Sequence, residues 1–253
     1  MIQISRSVVG AAELEAMGRV MRDDGYLGMG REVRAFETEL QEYLGGRDRT
    51  VICLNSGTAA LHLAVQALTI PGDEVLVQSL TFIASFQAIS AAGAVPVACE
   101  VYPDTVTLDL EDAARRITPR TKAVMPIHYA SHPGDLEAIY GFAERYGLRV
   151  IEDAAHAFGC TYKGRKIGSF GDLVCFSFDG LKNITSGEGG GRGRFGPRSN
   201  PMGSGCPPVG GAAGHRKTLS GRPELGVRRP TSGLSVPPEQ PVRGRGPGAA
   251  GAL

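Results

Sequence analysis

Apolar positions along the first 190 residues recur with two periods. From Ala11 to Arg22 they fall at helical spacing through Leu14, Met17 and Met21, and Arg31–Leu44 repeats this with Val33, Phe36, Leu40 and Tyr43. The pattern then becomes strand, loop, helix, several times over. Val51–Leu54 is a short apolar run, followed by Asn55, Ser56, Gly57 and Thr58 and the helical stretch Ala59–Thr69. Pro71, Gly72 and Asp73 form a turn into a strand at Glu74–Gln78, then a helix at Ile83–Ala92 and a strand at Val95–Cys99. Leu110–Ile117 reads as a helix with Asp109 at its N-cap, Ala123–Ile127 as a strand, Asp135–Tyr146 as a helix and Arg149–Ile151 as a strand. Leu173–Phe178 is the last strand the pattern predicts. Short apolar runs separated by helices predict an α/β fold, a mostly parallel sheet with helices on both faces. Ligands of such sheets bind beyond the carboxyl ends of the strands, where every polar cluster of this chain falls.

The alternation stops after Gly190. Residues 191–253 hold 15 Gly, 10 Pro, 9 Arg and 1 Lys against 2 Glu, a charge of +8, while residues 1–190 carry −7. The net charge of +1 for the 253-residue chain is therefore a sum of two unlike segments. Scattered apolar residues and frequent prolines give the second segment too little to bury, so it is expected to be disordered. Domain organisation is thus read as 1–190, an ordered large-domain part, and 191–253, a Gly/Pro/Arg-rich tail. An Arg/Gly tail can bind nucleic acid, but Phe195 is its one aromatic for stacking on bases, so no nucleic-acid partner is expected. The abrupt change reads as a shift of reading frame in GC-rich coding DNA, a hypothesis that resequencing tests: no frame continuing the αβ pattern would sink it.

Other classes fall away. No apolar run approaches the roughly 20 residues of a membrane span. Glu13 and Glu15 stand where a secretory signal would be apolar. Five cysteines (53, 99, 160, 175 and 206) form no CxxC pair, and three lie in strand-like apolar contexts as inert thiols. A soluble, cytoplasmic protein is expected.

Three clusters carry candidate chemistry. Ser56, Gly57, Thr58 and Ala59 open a helix, whose first N–H groups face an anion at the positive end of the dipole. Ser-Gly-Thr also suits a plain N-cap. Glu152 and Asp153 end a buried strand, with His156 close behind. There a carboxylate can bind a metal, act as a base, pair with a cationic ring nitrogen or cap the next helix. His128 and His132 have the spacing of a two-histidine helix face, but Pro133 and Gly134 break such a helix, so no metal site is expected from His128, His132, Glu152, Asp153 and His156. Lys182 follows an apolar strand and precedes a glycine-rich stretch, where partial desolvation favours the free amine; a surface lysine is the plain alternative. Anion cradle, strand-end carboxylate and late lysine, with Ser177 five residues before it, together make the set pyridoxal phosphate needs.

The stretches GYLGMGREVRAFE, LNSGTAALHLA, SLTFIAS, IEDAAHAFG and FSFDGLKNITSGEGG resemble the DegT/DnrJ/EryC1/StrS family of sugar aminotransferases, in register from about residue 5 to Gly190. The resemblance implies a pyridoxal-phosphate enzyme of the aspartate aminotransferase fold, with the large domain incomplete here. It implies Lys182 as the lysine that condenses with the cofactor, Asp153 as partner of the pyridine nitrogen and His156 as a contact to the 3-oxygen. Phe82 would stack on the ring, and Gly57, Thr58, Ala59 and Ser177 would hold the phosphate. It further implies an amino-acid donor, with glutamate expected, a keto-sugar nucleotide acceptor and a homodimer. Asp179 stands where many relatives carry an aromatic residue or His. Family members that dehydrate sugars have His in place of the lysine, so Lys182 favours transamination; others aminate a cyclitol. An inactive fragment or a regulatory binding protein is the reading from a different class.

Overall fold

The structure, a computed structural model, describes residues 7–24, 27–45 and 49–195. Helices α1 (Ala11–Arg19) and α2 (Arg31–Tyr43) precede strand β1 (Arg49–Leu54) and helix α3 (Gly57–Gln66). Then come β2 (Glu74–Gln78), α4 (Ala84–Ala91), β3 (Val95–Cys99), α5 (Leu110–Arg115), β4 (Thr121–Met125), α6 (Leu136–Tyr146) and β5 (Arg149–Asp153). A short hairpin, β6 (Thr161–Tyr162) and β7 (Arg165–Lys166), leads to β8 (Leu173–Ser177) and β9 (Gly190–Phe195). Seven strands form one sheet in the order β1-β9-β8-β5-β4-β2-β3. Only β9 runs against its neighbours: β2, β3, β4, β5 and β8 pair in parallel, and β1 and β8 are each antiparallel to β9. The carboxyl ends of β1, β2, β4, β5 and β8 therefore share one edge.

Strand alternation sorts the side chains into two cores. Leu76, Val124, Val150, Val174 and Phe176 pack with Leu40 of α2 and with Leu136, Ile139 and Phe142 of α6. Val75, Val77, Ala123, Met125, Ile151, Leu173 and Cys175 pack on the opposite face with Ala60, Leu61, Ala64 and Val65 of α3 and Ala88 and Ile89 of α4. Both faces are covered, which explains the continuous apolar runs of these strands. The helix starts obey their caps: Asp109 accepts from the N–H groups of Glu111 and Asp112 at 2.8 and 3.1 Å, and Asp135 accepts from that of Ala138 at 3.1 Å.

The hairpin β6–β7 is not expected from the sequence, and two further elements differ from the sequence expectation. The strand pattern ended at Leu173–Phe178, yet β9 continues the sheet through Gly190–Phe195, five residues of it in the segment read as tail. Its glycines hide it, because they carry no apolar alternation, and yet they are what lets it fit. A Cβ on Gly190 would lie 2.4 Å from the Ser56 carbonyl carbon and oxygen and 2.6 Å from the Gly57 nitrogen. The first helix also differs: α1 ends at Arg19 and passes into a π-helical turn, Val20–Asp24, and its apolar stripe of Leu14, Met17 and Met21 is exposed. The disorder expected of residues 196–253, like Cys206, lies outside the described residues.

Candidate active site

Strand β1 feeds α3 through Ser56, whose Oγ accepts from the Ala59 N–H at 3.1 Å. Ser56 is thus the N-cap, and the third amide of the helix, Ala59, is already used. Gly57 and Thr58, the first two, have no intrahelical acceptor by helix geometry and could hold an anion. The Ala59 amide is engaged by this cap. The wall opposite is Ser177, at the end of β8 on the same face as Cys175. A Cβ added to Gly57 would meet Ser177 Cβ at 2.9 Å and Oγ at 3.2 Å, so only glycine admits this approach.

Asp153 ends β5 on the α3/α4 side of the sheet. Its Oδ2 accepts from Ser85 Oγ at 2.8 Å, and its Oδ1 accepts from the Ala155 N–H at 3.2 Å. The backbone around it is fixed as well, since His128 N donates to Asp153 O at 2.9 Å and Asp153 N donates to Pro126 O at 3.0 Å. The following loop brings back His156, half-buried. Its imidazole is held below the usual histidine range, first by burial and then by the Lys182 charge, with Asp153 opposing. The loop after β4 braces it: Ser131 Oγ donates to the His156 carbonyl, and Ala130 and Ser131 both have left-handed backbone, φ 48° and 70°.

Lys182 is half-buried on a turn closed by its N–H to Asp179 O at 3.0 Å. Asp179 Oδ1 accepts from the Leu181 N–H at 3.0 Å, an Asx turn that shapes the approach to the lysine. Asn183 Nδ2 donates to Phe158 O at 2.9 Å, tying the lysine loop to the loop of His156. Phe82, after β2, is 72% exposed, its ring presented rather than packed.

The structure thus brings Gly57, Thr58, Ser177, Asp153, His156 and Lys182 to one edge of the sheet, with Phe82 on the loop of the neighbouring strand β2. It does not gather the histidines: His132 is exposed and its Nδ1 accepts from the Gly134 N–H at 3.3 Å, whereas His128 is buried, its Nε2 3.1 Å from Glu152 Oε2 on the other face. Among the described residues no three His, Cys, Asp or Glu side chains are grouped as metal ligands. Burial pushes the Cys53 and Cys99 thiols up to about 11 and Cys175 higher still, so none of these presents a thiolate. Sequence reasoning missed Ser85 and Asn183. Ser85 could have been found four residues after Thr81, on the inward face of a predicted helix.

The chain belongs to the DegT/DnrJ/EryC1/StrS aminotransferase family, which it matches over residues 8–191. It is 44% identical over 191 residues to the dTDP-4-dehydro-2,3,6-trideoxy-D-glucose 4-aminotransferase of Saccharopolyspora spinosa, covering 75% of this chain and 49% of that protein. Among solved structures it is similar to DesV of S. venezuelae in complex with a ketimine intermediate, at 42% identity and a TM-score of 0.68, covering 73% of this chain and 50% of that one. Spr1654 of Streptococcus pneumoniae, in its PLP form, superposes with a TM-score of 0.73 at 31% identity, covering 79% of this chain and 54% of that one. The chain spans about half the length of the curated relative it matches. Among the described residues no helix is long and apolar enough to cross a membrane.

Proposed function

We propose that this chain carries the cofactor-binding part of a pyridoxal-phosphate-dependent aminotransferase that converts a keto-sugar nucleotide to an amino sugar, with glutamate as amino donor. The observation that carries the reading is the convergence of an anion-receptive helix start, a buried carboxylate and a half-buried lysine on one sheet edge. The residues fit the group. Gly57 and Ser177 are in a contact that a Cβ would fill, beside the first amides of α3. Each Asp153 oxygen takes one donor and retains a lone pair for another.

When bound, pyridoxal phosphate supplies a protonated ring that withdraws electrons from the carbon undergoing transamination. The Gly57 and Thr58 amides, with the Thr58 and Ser177 hydroxyls, would bind the phosphate. Asp153 would keep the ring nitrogen protonated, and Phe82 would cover the ring. His156 would lie by the 3-oxygen. Lys182 Nζ would hold the cofactor covalently at rest and move a proton at the reacting carbon of the substrate. The Saccharopolyspora spinosa relative, a dTDP-4-dehydro-2,3,6-trideoxy-D-glucose 4-aminotransferase, supports the substrate class. A second subunit would cover the exposed Leu14, Met17 and Met21 and the exposed Ile83 and Leu181 near the site.

The reading is tested by incubating the full chain with pyridoxal phosphate, reducing with borohydride and mapping the label by mass spectrometry. Label on the peptide of Lys182, lost in Lys182→Ala, is expected. A chain that takes up no cofactor would instead be an inactive fragment, and label elsewhere overturns the assignment of Lys182.

A further inference from the structure

Ser85 is fully buried at the start of α4, 0% exposed, and its hydroxyl donates to Asp153 Oδ2 at 2.8 Å. Thr81 Oγ1 lies 2.8 Å from Ser85 Oγ. A serine hydroxyl has one proton and two acceptor sites. Because the serine proton goes to the carboxylate, the proton between the two hydroxyls must come from Thr81. The result is a directed chain, Thr81 to Ser85 to Asp153, that ends on one carboxylate oxygen.

The segment bearing it is rigid at both ends. Gln78, buried at the end of β2, donates its Nε2 to Leu80 O at 3.0 Å and Val106 O at 2.9 Å, and Ser85 N donates to Phe82 O at 3.2 Å. Ala88 and Ile89 then anchor α4 in the core against α3. Glu152, one residue away, offers a contrast. Its partners Tyr140 and His128 close it off on the far face, whereas the Ser85 chain opens at half-buried Thr81, beside Phe82.

We infer that Ser85, backed by Thr81, is a positioning residue that aims and holds the Asp153 carboxylate for the ring nitrogen, an inference that rests on the pyridoxal-phosphate reading above. The same turn, Thr81–Ser85, also carries Phe82, so one rigid segment sets both the side chain that would stack on the ring and the carboxylate that would meet its nitrogen.

The test loads the full chain with pyridoxal phosphate labelled with ¹⁵N in the ring, as parent, Ser85→Ala, Thr81→Val and Thr81→Ser. Ser85→Ala is expected to weaken cofactor binding about tenfold and to move the ring-nitrogen resonance toward its unprotonated position. Thr81→Val moves both in the same direction by less, and Thr81→Ser, which keeps the hydroxyl, matches the parent. A purely structural role would lower the unfolding temperature and leave the resonance of bound cofactor where it was. Ser85→Ala with parental affinity and resonance overturns the inference. Should Ser85→Ala fail to fold, the threonine pair decides, and equal behaviour of Thr81→Val and Thr81→Ser overturns it. A parent chain that binds no cofactor sinks the pyridoxal-phosphate reading and this inference with it. A loaded parent with indifferent variants sinks the inference alone.

Discussion

Glu152 and Asp153 are chain neighbours that point to opposite faces of the sheet: Tyr140 of α6 donates to Glu152 Oε1 at 2.5 Å, and Ser85 of α4 donates to Asp153 Oδ2 at 2.8 Å. The two-residue period of β5 divides the acidic pair into a carboxylate closed off on the α6 side and one that faces α4. Tyr140 extends the structural half by accepting from the Asp172 N–H at 2.8 Å. Burial, with the Glu152 charge beside it, holds the Tyr140 hydroxyl protonated far above the usual tyrosine range.

The pair should respond to substitution in opposite ways. Glu152→Ala strands the Tyr140 hydroxyl and leaves His128 without its partner, and should cost about 2–4 kcal/mol in urea unfolding. Asp153→Asn can keep both its bonds, with the amide oxygen accepting from Ala155 and the amide NH2 donating to a rotated Ser85 hydroxyl. Its unfolding midpoint should stay within about 1 kcal/mol of the parent, while its cofactor binding falls. Equal destabilisation by the two variants would contradict the division of labour.

Much of this was legible in the sequence, and the residues show why. β2, β4, β5 and β8 are covered on both faces and so read as apolar runs, while Asp109 announces its helix by capping chemistry. β9 was not legible. A central strand of Gly190, Gly191, Arg192 and Gly193 has no apolar period, and what fixes it, contact with Ser56 and Gly57, is a feature of the fold rather than of the local text. Ser56 takes the Ala59 amide, the plain N-cap that Ser-Gly-Thr also suited. Ser85 reads as one small residue among several until α4 sets it against β5.

Gly190→Ala tests the placement of β9. Its Cβ would collide with backbone, which cannot swing aside, in the middle of the sheet. A loss of more than about 3 kcal/mol, or failure to fold, is expected. Gly141→Ala is the control: inside α6, with nothing within 4 Å of the added carbon, it should stabilise by about 0.5–1 kcal/mol. Thermal unfolding of both variants checks this, and a benign Gly190→Ala would show that β9 does not sit against Ser56.

Ser56→Ala removes the cap of α3 and should cost about 1 kcal/mol. Anion binding at the helix start should survive, because Gly57 and Thr58 donate independently of Ser56. Phosphate titration alongside urea unfolding separates the two effects. Loss of phosphate binding would make Ser56 part of the cradle.

The coupling between His156 and Lys182 is open to titration. His156 is held below the usual histidine value by burial, and secondarily by the lysine charge, with Asp153 pulling the other way. Its ring resonance in the cofactor-free chain, assigned with a His156→Gln variant, should therefore titrate below 6.5. Lys182→Ala should raise the midpoint by removing a like charge, and Asp153→Asn should lower it further by removing the opposing one. The sign for stability follows. Between the folded midpoint and 6.5 the unfolded chain binds more protons, so unfolding free energy rises with pH across that window. The contribution of His156 is complete above 6.5 and is lost as pH falls through the folded midpoint. A midpoint at or above 6.5, or one that Lys182→Ala leaves unmoved, would mean that the two side chains do not share a site.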